Sequence, residues 1–457
     1  MLIKNNYTTL FYIFLLSHLI IWTLIPSISN INLPLDTIEA LAWSSNLSWG
    51  YSKHPPVSAF MTELIFNFFG NQDWAYYLLS QLCIIVAFIY VWKFSNYIFH
   101  NKLYSLCSVL LLEGIFFYNF TSPEFNVNVC QLPFWALVVF YSWKSINYEK
   151  TSDLLLLGIF MSIGFLTKYL FIYLILTVKI IFILNILKKK NFKIKLLIPG
   201  AIFVLILLPH IIWLFQNNFT TITYALNRTG MGEDSLINHF YNPFLFLIKQ
   251  IGILIPIFVM LITFIKIKKI KFNYLTKDNN FLLMINIIPI ILIFLTSIIL
   301  GAKIRTMWMT PFYLFLGVLL IQIFKEYLNK NNLKKFLAVF VVLFILSPIS
   351  YVFISLSNEF KRTDYPGREI SELVQRRWDK NFSNNISIVV GDEWYAGNLS
   401  YHLSSRPTWY NTIENDLSLI TSDTGVIYIG NPKILKKFCP GIYGTIKPIG
   451  ICMIGAK

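Results

Sequence analysis

The stretch LDTIEALAWSSNLSWGYSKHPP, residues 35–56, places two carboxylates, a lysine and a histidine directly after an apolar run long enough to cross a membrane. If residues 36–47 form a helix on the membrane surface, Asp36, Glu39 and Trp43 share one of its faces. Both carboxylates would then point the same way and could take a proton from a substrate. An alternative stays open, because Asp-x-x-Glu is also the pattern of a capping box at a helix start. Glu39 could serve in both roles.

Further charged residues follow on the same predicted side of the membrane, where a charged side chain in a loop is usually just solvated. The KHPP segment presents Lys53 and His54 on the stiff, extended backbone that two prolines impose. Lys168, in GFLTKYLF, lies between two apolar runs with too few residues for a solvated loop. A lysine there is costly unless it meets an anion, which favours a functional role. Glu124, in SPEF, lies at a helix start, where stabilisation of the helix dipole is the simpler explanation.

Three more cations occur in segments that are predicted to lie on the same side of the membrane. Arg228 lies in NRTG, and Lys303 and Arg305 lie in GAKIRTMW. Carboxylates can abstract a proton, and cations can hold a phosphate or stabilise its departure. The set therefore suits a lipid-linked phosphate substrate. The cysteines show no spacing typical of a metal site, so no metal ligands or cofactor are predicted, and whether a divalent metal is needed stays open.

Composition defines the class of protein that must position these residues. Of 457 residues, 56% are hydrophobic and only 13% are charged, which is about half the charge of an average soluble domain. The chain is therefore predicted to be a polytopic α-helical membrane protein. Its net charge of +16 argues only weakly for nucleic acid, because the lysines and arginines fall in short clusters between apolar runs, where they set topology. We therefore expect membrane lipids and no nucleic acid as partners.

The apolar runs predict about eleven transmembrane helices. Their approximate ranges are 9–27, 74–96, 102–120, 127–146, 152–166, 169–187, 194–215, 243–267, 280–300, 308–326 and 335–355. The first run lacks a small-residue cleavage site, and many further spans follow it, so it is predicted to be retained rather than removed as a signal peptide.

Loop charge predicts the orientation. Lysine-rich loops are expected in the cytoplasm, and they contain Lys4, Lys93, Lys102, Lys144, Lys150 and the runs 188–195, 266–271 and 325–335. The opposite loops hold nearly all of the acidic and mixed-charge constellations, at 28–73, 121–126, 167–168, 216–242, 300–307 and beyond 356. The amino terminus is therefore predicted to be cytoplasmic, and the candidate site and the last hundred residues to be periplasmic, in a bacterial inner membrane.

Two domains are predicted. Residues 1–356 form a transmembrane catalytic domain whose outer loop is 28–73, and residues 357–457 form a small periplasmic α/β domain. The second contains strand-like runs, ISIVVG and TGVIYIG, and a helical pattern in REISELVQRRW. Between Cys439 and Cys452 the glycines and prolines of PGIYGTIKPIGI favour a turn or hairpin. In an oxidising periplasm the two cysteines are predicted to form a disulfide.

These motifs resemble a known group of enzymes. Asp36, the aromatic stretch WSSNLSWGY and the HPP segment resemble the first outer loop of the glycosyltransferase family 39 and 83 group, which is related to protein O-mannosyltransferases and lipid A aminoarabinose transferases. SPEF resembles that group's Thr-Pro-Asp segment, and GFLTKY resembles its Gly-x-x-x-Lys helix break. PHIIWLFQNNF and YALNRTG resemble the approach to the next outer loop. The likeness covers most of the chain and is weakest in the tail.

The resemblance implies a GT-C fold and an enzyme that transfers a sugar, with inversion, from a polyprenyl phosphate to lipid A or a protein. Asp36 matches the catalytic aspartate and Lys168 the phosphate-contacting lysine. Lys53 or His54 matches a second basic position, with Arg228 assisting. The group usually has Glu where this chain has Thr37, so either Glu39 supplies that carboxylate or the site has only one. Tyr51, in the aromatic stretch, is a further candidate, as are Glu124, Lys303 and Arg305.

Two other functions compete with this one. A lipid-linked sugar flippase without chemistry should carry charges at the bilayer midplane between internal repeats, whereas here the charges lie at one surface and no convincing repeat occurs. An O-antigen polymerase or ligase is disfavoured by the first-loop aspartate and the His-Pro-Pro segment.

The charge pattern makes a topological prediction. Reporters fused at 190 or 330 should behave as cytoplasmic, and reporters fused at 230 or 400 as periplasmic, because the lysine clusters alternate between loops. A reporter that changes sides between these two groups would rule out a single outward-facing site.

Overall fold

A computed structural model of the protein describes residues 6–230, 235–263, 276–358, 360–411, 424–446 and 449–457. Lys4 and the lysine run 266–271 lie outside the described residues. The described membrane part is helical, with α1 Tyr7–Ser29, α2 Leu35–Ser44, α3 Val57–Phe69, α4 Asp73–Phe99, α5 Lys102–Leu110, α6 Val127–Cys130, α7 Leu132–Tyr148, α8 Thr151–Phe165, α9 Ile172–Lys189, α10 Ile198–Gln216, α11 Thr220–Arg228, α12 Asn238–Ile262, α13 Lys277–Leu300, α14 Leu316–Phe324 and α15 Lys330–Ser357.

The eleven predicted runs coincide with helical segments wherever they are described. Seven of these segments are long and apolar enough to span a membrane, and an eighth results if the pair Thr306–Tyr313 and Leu316–Tyr327, bent by 54°, is one span. The three remaining runs form the shorter helices α5 to α8. The multi-pass helical class is thus confirmed, whereas the count of eleven crossings stays a prediction.

The short helices result from local breaks in the chain. After α5 the backbone tightens into 3₁₀ turns at Leu111–Gly114 and Phe116–Tyr118. Asn126 then caps α6, since its side-chain oxygen accepts hydrogen bonds from the N–H groups of Asn128 and Val129 at 2.8 and 3.1 Å. A buried ring nitrogen of His18 on α1 lies 2.7 Å from Glu113 Oε1. This pair holds the broken segment against α1, because buried polar groups in a bilayer need partners.

The loops segregate to two ends of the helical bundle. At one end Glu149 pairs with Lys189 at 2.8 Å and with Lys193. Helices α8 and α9 run from this end to Lys168 and back, so Lys168 lies at the opposite end. The lysine-rich run 188–195 and the candidate site therefore lie at opposite ends of α8 and α9, which agrees with the charge pattern. The side of the membrane that each end faces stays a prediction.

The described residues of the C-terminal part form three α-helices, α16 Gly367–Asn381, α17 Tyr395–His402 and α18 Pro432–Phe438, and the strands β1 Ile386–Val390, β2 Thr408–Tyr410, β3 Gly425–Gly430, β4 Ile442–Ile446 and β5 Ile449–Ile454. The strand order is β2-β1-β3-β5-β4. β1 pairs in parallel with β2 and β3, with Val389 opposite Trp409 and Ile427, and β5 is antiparallel to β3 and β4. The small α/β fold predicted for the tail is thus confirmed.

The sheet domain packs directly on α2. One apolar core contains Ala42 and Trp43 from α2 together with Val374 and Trp378 from α16. On α17, a Cβ at Gly397 would lie 3.1 Å from the Ala42 side chain, so the small residue allows the two helices to approach closely. Arg406 adds hydrogen bonds to the Leu41 carbonyl at 2.8 Å and to Ser44 Oγ at 3.0 Å. The tail domain and the segment that carries Asp36 therefore share one core.

The two tail cysteines are bonded to each other. Cys439 and Cys452 form a disulfide with a Cα–Cα distance of 5.6 Å. Cys439 ends α18 and Cys452 lies on β5 opposite Tyr443. The other three cysteines, Cys83, Cys107 and Cys130, are buried and free.

This arrangement predicts a labelling pattern. In denatured, unreduced protein a thiol reagent should label Cys83, Cys107 and Cys130, whereas Cys439 and Cys452 should react only after reduction. Closing a loop of this length is worth about 3 kcal/mol in the chain-entropy model, so Cys439→Ser should lower the unfolding temperature of the tail domain. Labelling of all five cysteines without reductant would show that no bridge forms.

Candidate active site

A cavity of about 350 Å³ opens where α2, the break before α9, α11 and the segment before α14 meet. Its lining includes two carboxylates, four cations and several aromatic rings. These residues are Asp36, Glu39, Trp43, Lys53, His54, Asn126, Asn128, Lys168, Tyr169, Tyr224, Arg228, Arg305 and Trp308. A larger apolar groove between α1 and α15 has no charged lining residue, so the chemistry is concentrated in the cavity.

Helix α2 aims Asp36, Glu39 and Trp43 into the cavity, as their spacing predicted. The capping-box alternative is wrong. The N-cap is Pro34, which makes no side-chain cap, and Asp36 already lies in the first helical turn. The free backbone N–H of Asp36 instead donates to Glu124 Oε1 at 3.2 Å. Glu124 therefore supplies the acceptor that a polar N-cap residue would normally supply.

The carboxylate of Asp36 is available for chemistry. Within the described part of the chain, no side chain makes a hydrogen bond or ion pair with it. Burial raises its pKa, and the charges of Lys168, Lys53, Arg362 and Arg228 oppose that shift. A carboxylate whose pKa is raised by burial accepts a proton more readily than one in water.

Glu124 is the second carboxylate close to Asp36. Burial, together with the neighbouring Asp36 charge, raises the pKa of Glu124 to about 8. Thr37 occupies the position where the resembled group has Glu, and its hydroxyl donates to the Phe125 carbonyl at 3.0 Å. The chain thus brings in a carboxylate from residue 124 beside Asp36, whereas Glu39 is paired with Lys53 at 2.9 Å.

Lys168 lies at the break between α8 and α9, with only Leu166 and Thr167 before it. It is 4% exposed. Its ammonium donates to Asn128 Oδ1 and lies 5.0 Å from the centre of the Trp308 ring. Burial lowers the pKa of Lys168 to about 7, although the Asp36 charge opposes the shift. Neither partner neutralises the ammonium, so an anion in the cavity would meet an unpaired positive charge.

Lys53 and His54 occupy different environments. The Lys53 ammonium lies between Glu39 and Glu393, at 2.9 and 3.0 Å. His54 packs edge-on against Trp43 and Tyr224. Burial and the nearby cations, Lys168 first, lower the pKa of His54 to about 3, so it is neutral at pH 7. Of these two candidates for the second basic position, Lys53 is therefore the one that is charged at neutral pH.

The remaining candidates differ in position. Arg228, at the end of α11, and Arg305 line the cavity, whereas Lys303 does not. The backbone N–H of Lys303 instead donates to the Thr229 carbonyl at 2.9 Å, which ties the two arginine segments together. Tyr51 also lies outside the lining; it stacks on Trp43, and its hydroxyl accepts from the Ser48 N–H at 3.1 Å.

The structure adds residues that sequence reasoning missed. Asn128, Tyr169 and Trp308 line the cavity, and Glu393 reaches it through Lys53. The hydroxyl of Tyr169 donates to His210 Nε2 at 2.8 Å if His210 Nδ1 donates to the Trp49 carbonyl 2.6 Å away. A signal existed for Glu393 alone, because it follows a predicted strand, and ligands often lie at the carboxyl ends of parallel strands. Among the described residues, no cluster of three or more His, Cys, Asp or Glu side chains could hold a metal.

The chain is similar to known glycosyltransferases in both sequence and fold. Residues 53–213 match the family model described as dolichyl-phosphate-mannose-protein mannosyltransferase. The lipopolysaccharide core galacturonosyltransferase RgtB of Rhizobium johnstonii is 22% identical over 392 residues, which cover 82% of this chain and 78% of RgtB.

Solved structures match nearly the whole chain. The crystal structure of ArnT from Cupriavidus metallidurans bound to undecaprenyl phosphate aligns with a TM-score of 0.64 at 12% identity and covers 98% of both chains. The apo structure of the same protein aligns with a TM-score of 0.64 at 11% identity, with the same coverage. These likenesses confirm the predicted fold. Together with the family model and RgtB, they support the predicted GT-C glycosyltransferase.

Proposed function

We propose that this glycosyltransferase moves a sugar, with inversion, from a polyprenyl phosphate to a lipopolysaccharide or lipid A acceptor on the periplasmic face of the inner membrane. The observation that carries the proposal is the presence of an unpaired carboxylate, Asp36, and a buried ammonium, Lys168, in one cavity. ArnT, which has the same fold, binds undecaprenyl phosphate, and RgtB modifies lipopolysaccharide core, which supports the donor and acceptor classes.

The proposed reaction assigns each charge a step. The acceptor hydroxyl attacks the anomeric carbon from the side opposite the phosphate while Asp36 takes its proton. The bond between the anomeric carbon and the phosphate oxygen breaks, and both of its electrons stay on the phosphate. Lys168, Arg228 and Lys53 stabilise this leaving group. If the acceptor atom is a phosphate oxygen, no proton has to be removed, and Asp36 orients the acceptor.

The raised pKa of Glu124 gives it a supporting role in this proposal. A carboxyl group whose pKa is raised to about 8 is largely protonated at neutral pH and adds little negative charge beside Asp36.

A protein acceptor is the alternative, which the family model's description supports. A flippase is disfavoured, because the charges lie in a cavity built on short helices at one end of the bundle rather than at its middle.

A donor-consumption assay tests the proposal. Membranes containing the protein would be incubated with a panel of polyprenyl-phosphate sugars, and release of polyprenyl phosphate would be measured. Lipid A, lipopolysaccharide and glycoprotein profiles after gene deletion would identify the acceptor. If no member of the panel is consumed, the proposed donor class is wrong.

Asp36→Asn should reduce transfer by about 10² or more, because it removes the proton acceptor but keeps the side-chain shape. Glu39→Gln is the matched control and should cost less, since Glu39 is already paired with Lys53. Steady-state rates with saturating donor measure both variants. An active Asp36→Asn together with an inactive Glu39→Gln would reverse the two roles.

Lys168 makes donor affinity depend on pH. Because its pKa is lowered to about 7, the empty site loses this proton as pH rises through 7, and phosphate binding must restore it. Undecaprenyl phosphate should therefore bind more weakly by up to tenfold per pH unit between pH 7.5 and 9, a range in which a phosphate monoester is already fully ionised.

Two variants test this assignment. Lys168→Arg keeps the charge and should flatten the pH dependence, because arginine stays protonated. Lys168→Met should weaken binding at every pH without lowering the unfolding temperature, since it removes a costly buried charge. If Lys168→Met binds undecaprenyl phosphate as tightly as the wild type, Lys168 does not contact the phosphate and its role is structural.

A further inference from the structure

Glu393 is a carboxylate of the sheet domain that pairs with Lys53, a residue of the cavity lining. It lies in the turn GDEW, between the end of β1 and the start of α17. Gly391 begins the turn with a φ of +155°, and a Cβ there would lie 2.5 Å from the Ile429 carbonyl oxygen, so the turn requires glycine. The Asp392 carboxylate accepts from the N–H groups of Trp394 and Tyr395 at 2.9 and 2.7 Å. The backbone of Glu393 is therefore fixed on both sides.

The side chain of Glu393 shares one ammonium with Glu39. Lys53 Nζ lies 2.9 Å from Glu39 Oε1 and 3.0 Å from Glu393 Oε1. The three side chains are 13–23% exposed, so water screens the pairs only in part. An ammonium has three donors, and these two contacts use two of them. Lys53 thus cannot turn fully toward the cavity while both carboxylates hold it.

The two carboxylates differ in their relation to the cavity. Glu39 lines it on the same helix face as Asp36, whereas Glu393 lies behind Lys53, outside the lining. The sheet domain that carries Glu393 shares a core with α2 and is bonded to it through Arg406. Packing between the domains therefore sets where the turn that carries Glu393 lies relative to α2.

We propose that Glu393 is a positioning residue that holds Lys53 back from the donor phosphate, so that the sheet domain tunes how tightly the cavity binds polyprenyl phosphate. The inference rests on the proposed function. When phosphate recruits Lys53, the lysine exchanges its contact with Glu393 for a contact with a phosphate oxygen. The product is released more easily because Glu393 competes for the same ammonium. Removing the Glu393 charge favours the phosphate-bound state for two reasons. Lys53 loses a competing partner, and the site gains one unit of positive charge.

The test is a binding and kinetic double-mutant cycle with full-length protein in nanodiscs and undecaprenyl phosphate as the probe. Glu393→Gln should tighten binding by about fivefold, as expected for a partly screened charge pair. KM for the donor and kcat should both fall, because product leaves more slowly. In the Lys53→Met background the same substitution should change binding by less than about twofold.

Two further variants separate positioning from folding. Glu393→Asp keeps the charge and should return affinity toward that of the wild type, and Glu372→Gln, an exposed glutamate on α16, should change nothing. Weaker or unchanged binding by Glu393→Gln, or an equal shift without Lys53, would overturn the inference while leaving the proposed function intact. A wild-type protein that does not bind undecaprenyl phosphate would overturn both.

Discussion

The site depends on one electrostatic constraint, the need to keep an ammonium charged at a place that the membrane-spanning helices almost close off from water. Lys168 has only an amide oxygen and an aromatic ring as close partners, and burial lowers its pKa to about 7. Asp36 opposes that shift across the cavity, and Lys168 in turn opposes the rise in the pKa of Asp36. Each charge stabilises the ionised form of the other. Neutralising either side chain would therefore shift the pKa of its partner.

The surrounding helices can be explained from this constraint. A continuous membrane helix would place Lys168 in hydrocarbon, whereas the break between α8 and α9 turns the chain at the lysine. The interruption before α6 brings Asn128 to the ammonium, and the Glu124 carboxylate takes the unsatisfied N–H of Asp36. Irregular backbone at membrane depth is tolerated where it lines a polar cavity. The breaks that shorten these helices are therefore the places where Asn128 and Lys168 enter the cavity.

The sequence predicted what depends on local pattern. The apolar runs predicted the helices, and the alternating loop charge predicted that lysine-rich loops and the candidate site lie at opposite ends of the bundle. The spacing of Asp36, Glu39 and Trp43 predicted that they share one face of α2. The capping-box alternative failed because Glu124, distant in sequence, satisfies the backbone of α2. The contact between Lys53 and Glu393 joins residues 340 positions apart, and it depends on how α17 packs against α2. No periodicity encodes such a contact, because it arises only when two domains share a core.

Charge balance explains why these contacts matter for the proposed chemistry. Two carboxylates and four cations line the cavity, so with Lys168 protonated the lining carries two excess positive charges. Glu393, behind Lys53, reduces this excess to one. A polyprenyl phosphate sugar is a diester with one negative charge, whereas the leaving monoester carries nearly two at pH 7. With Glu393 engaged, the site matches the donor. As the anomeric bond breaks, a lysine that turns from Glu393 toward the phosphate supplies the second positive charge, so stabilisation grows along the reaction coordinate, as catalysis requires.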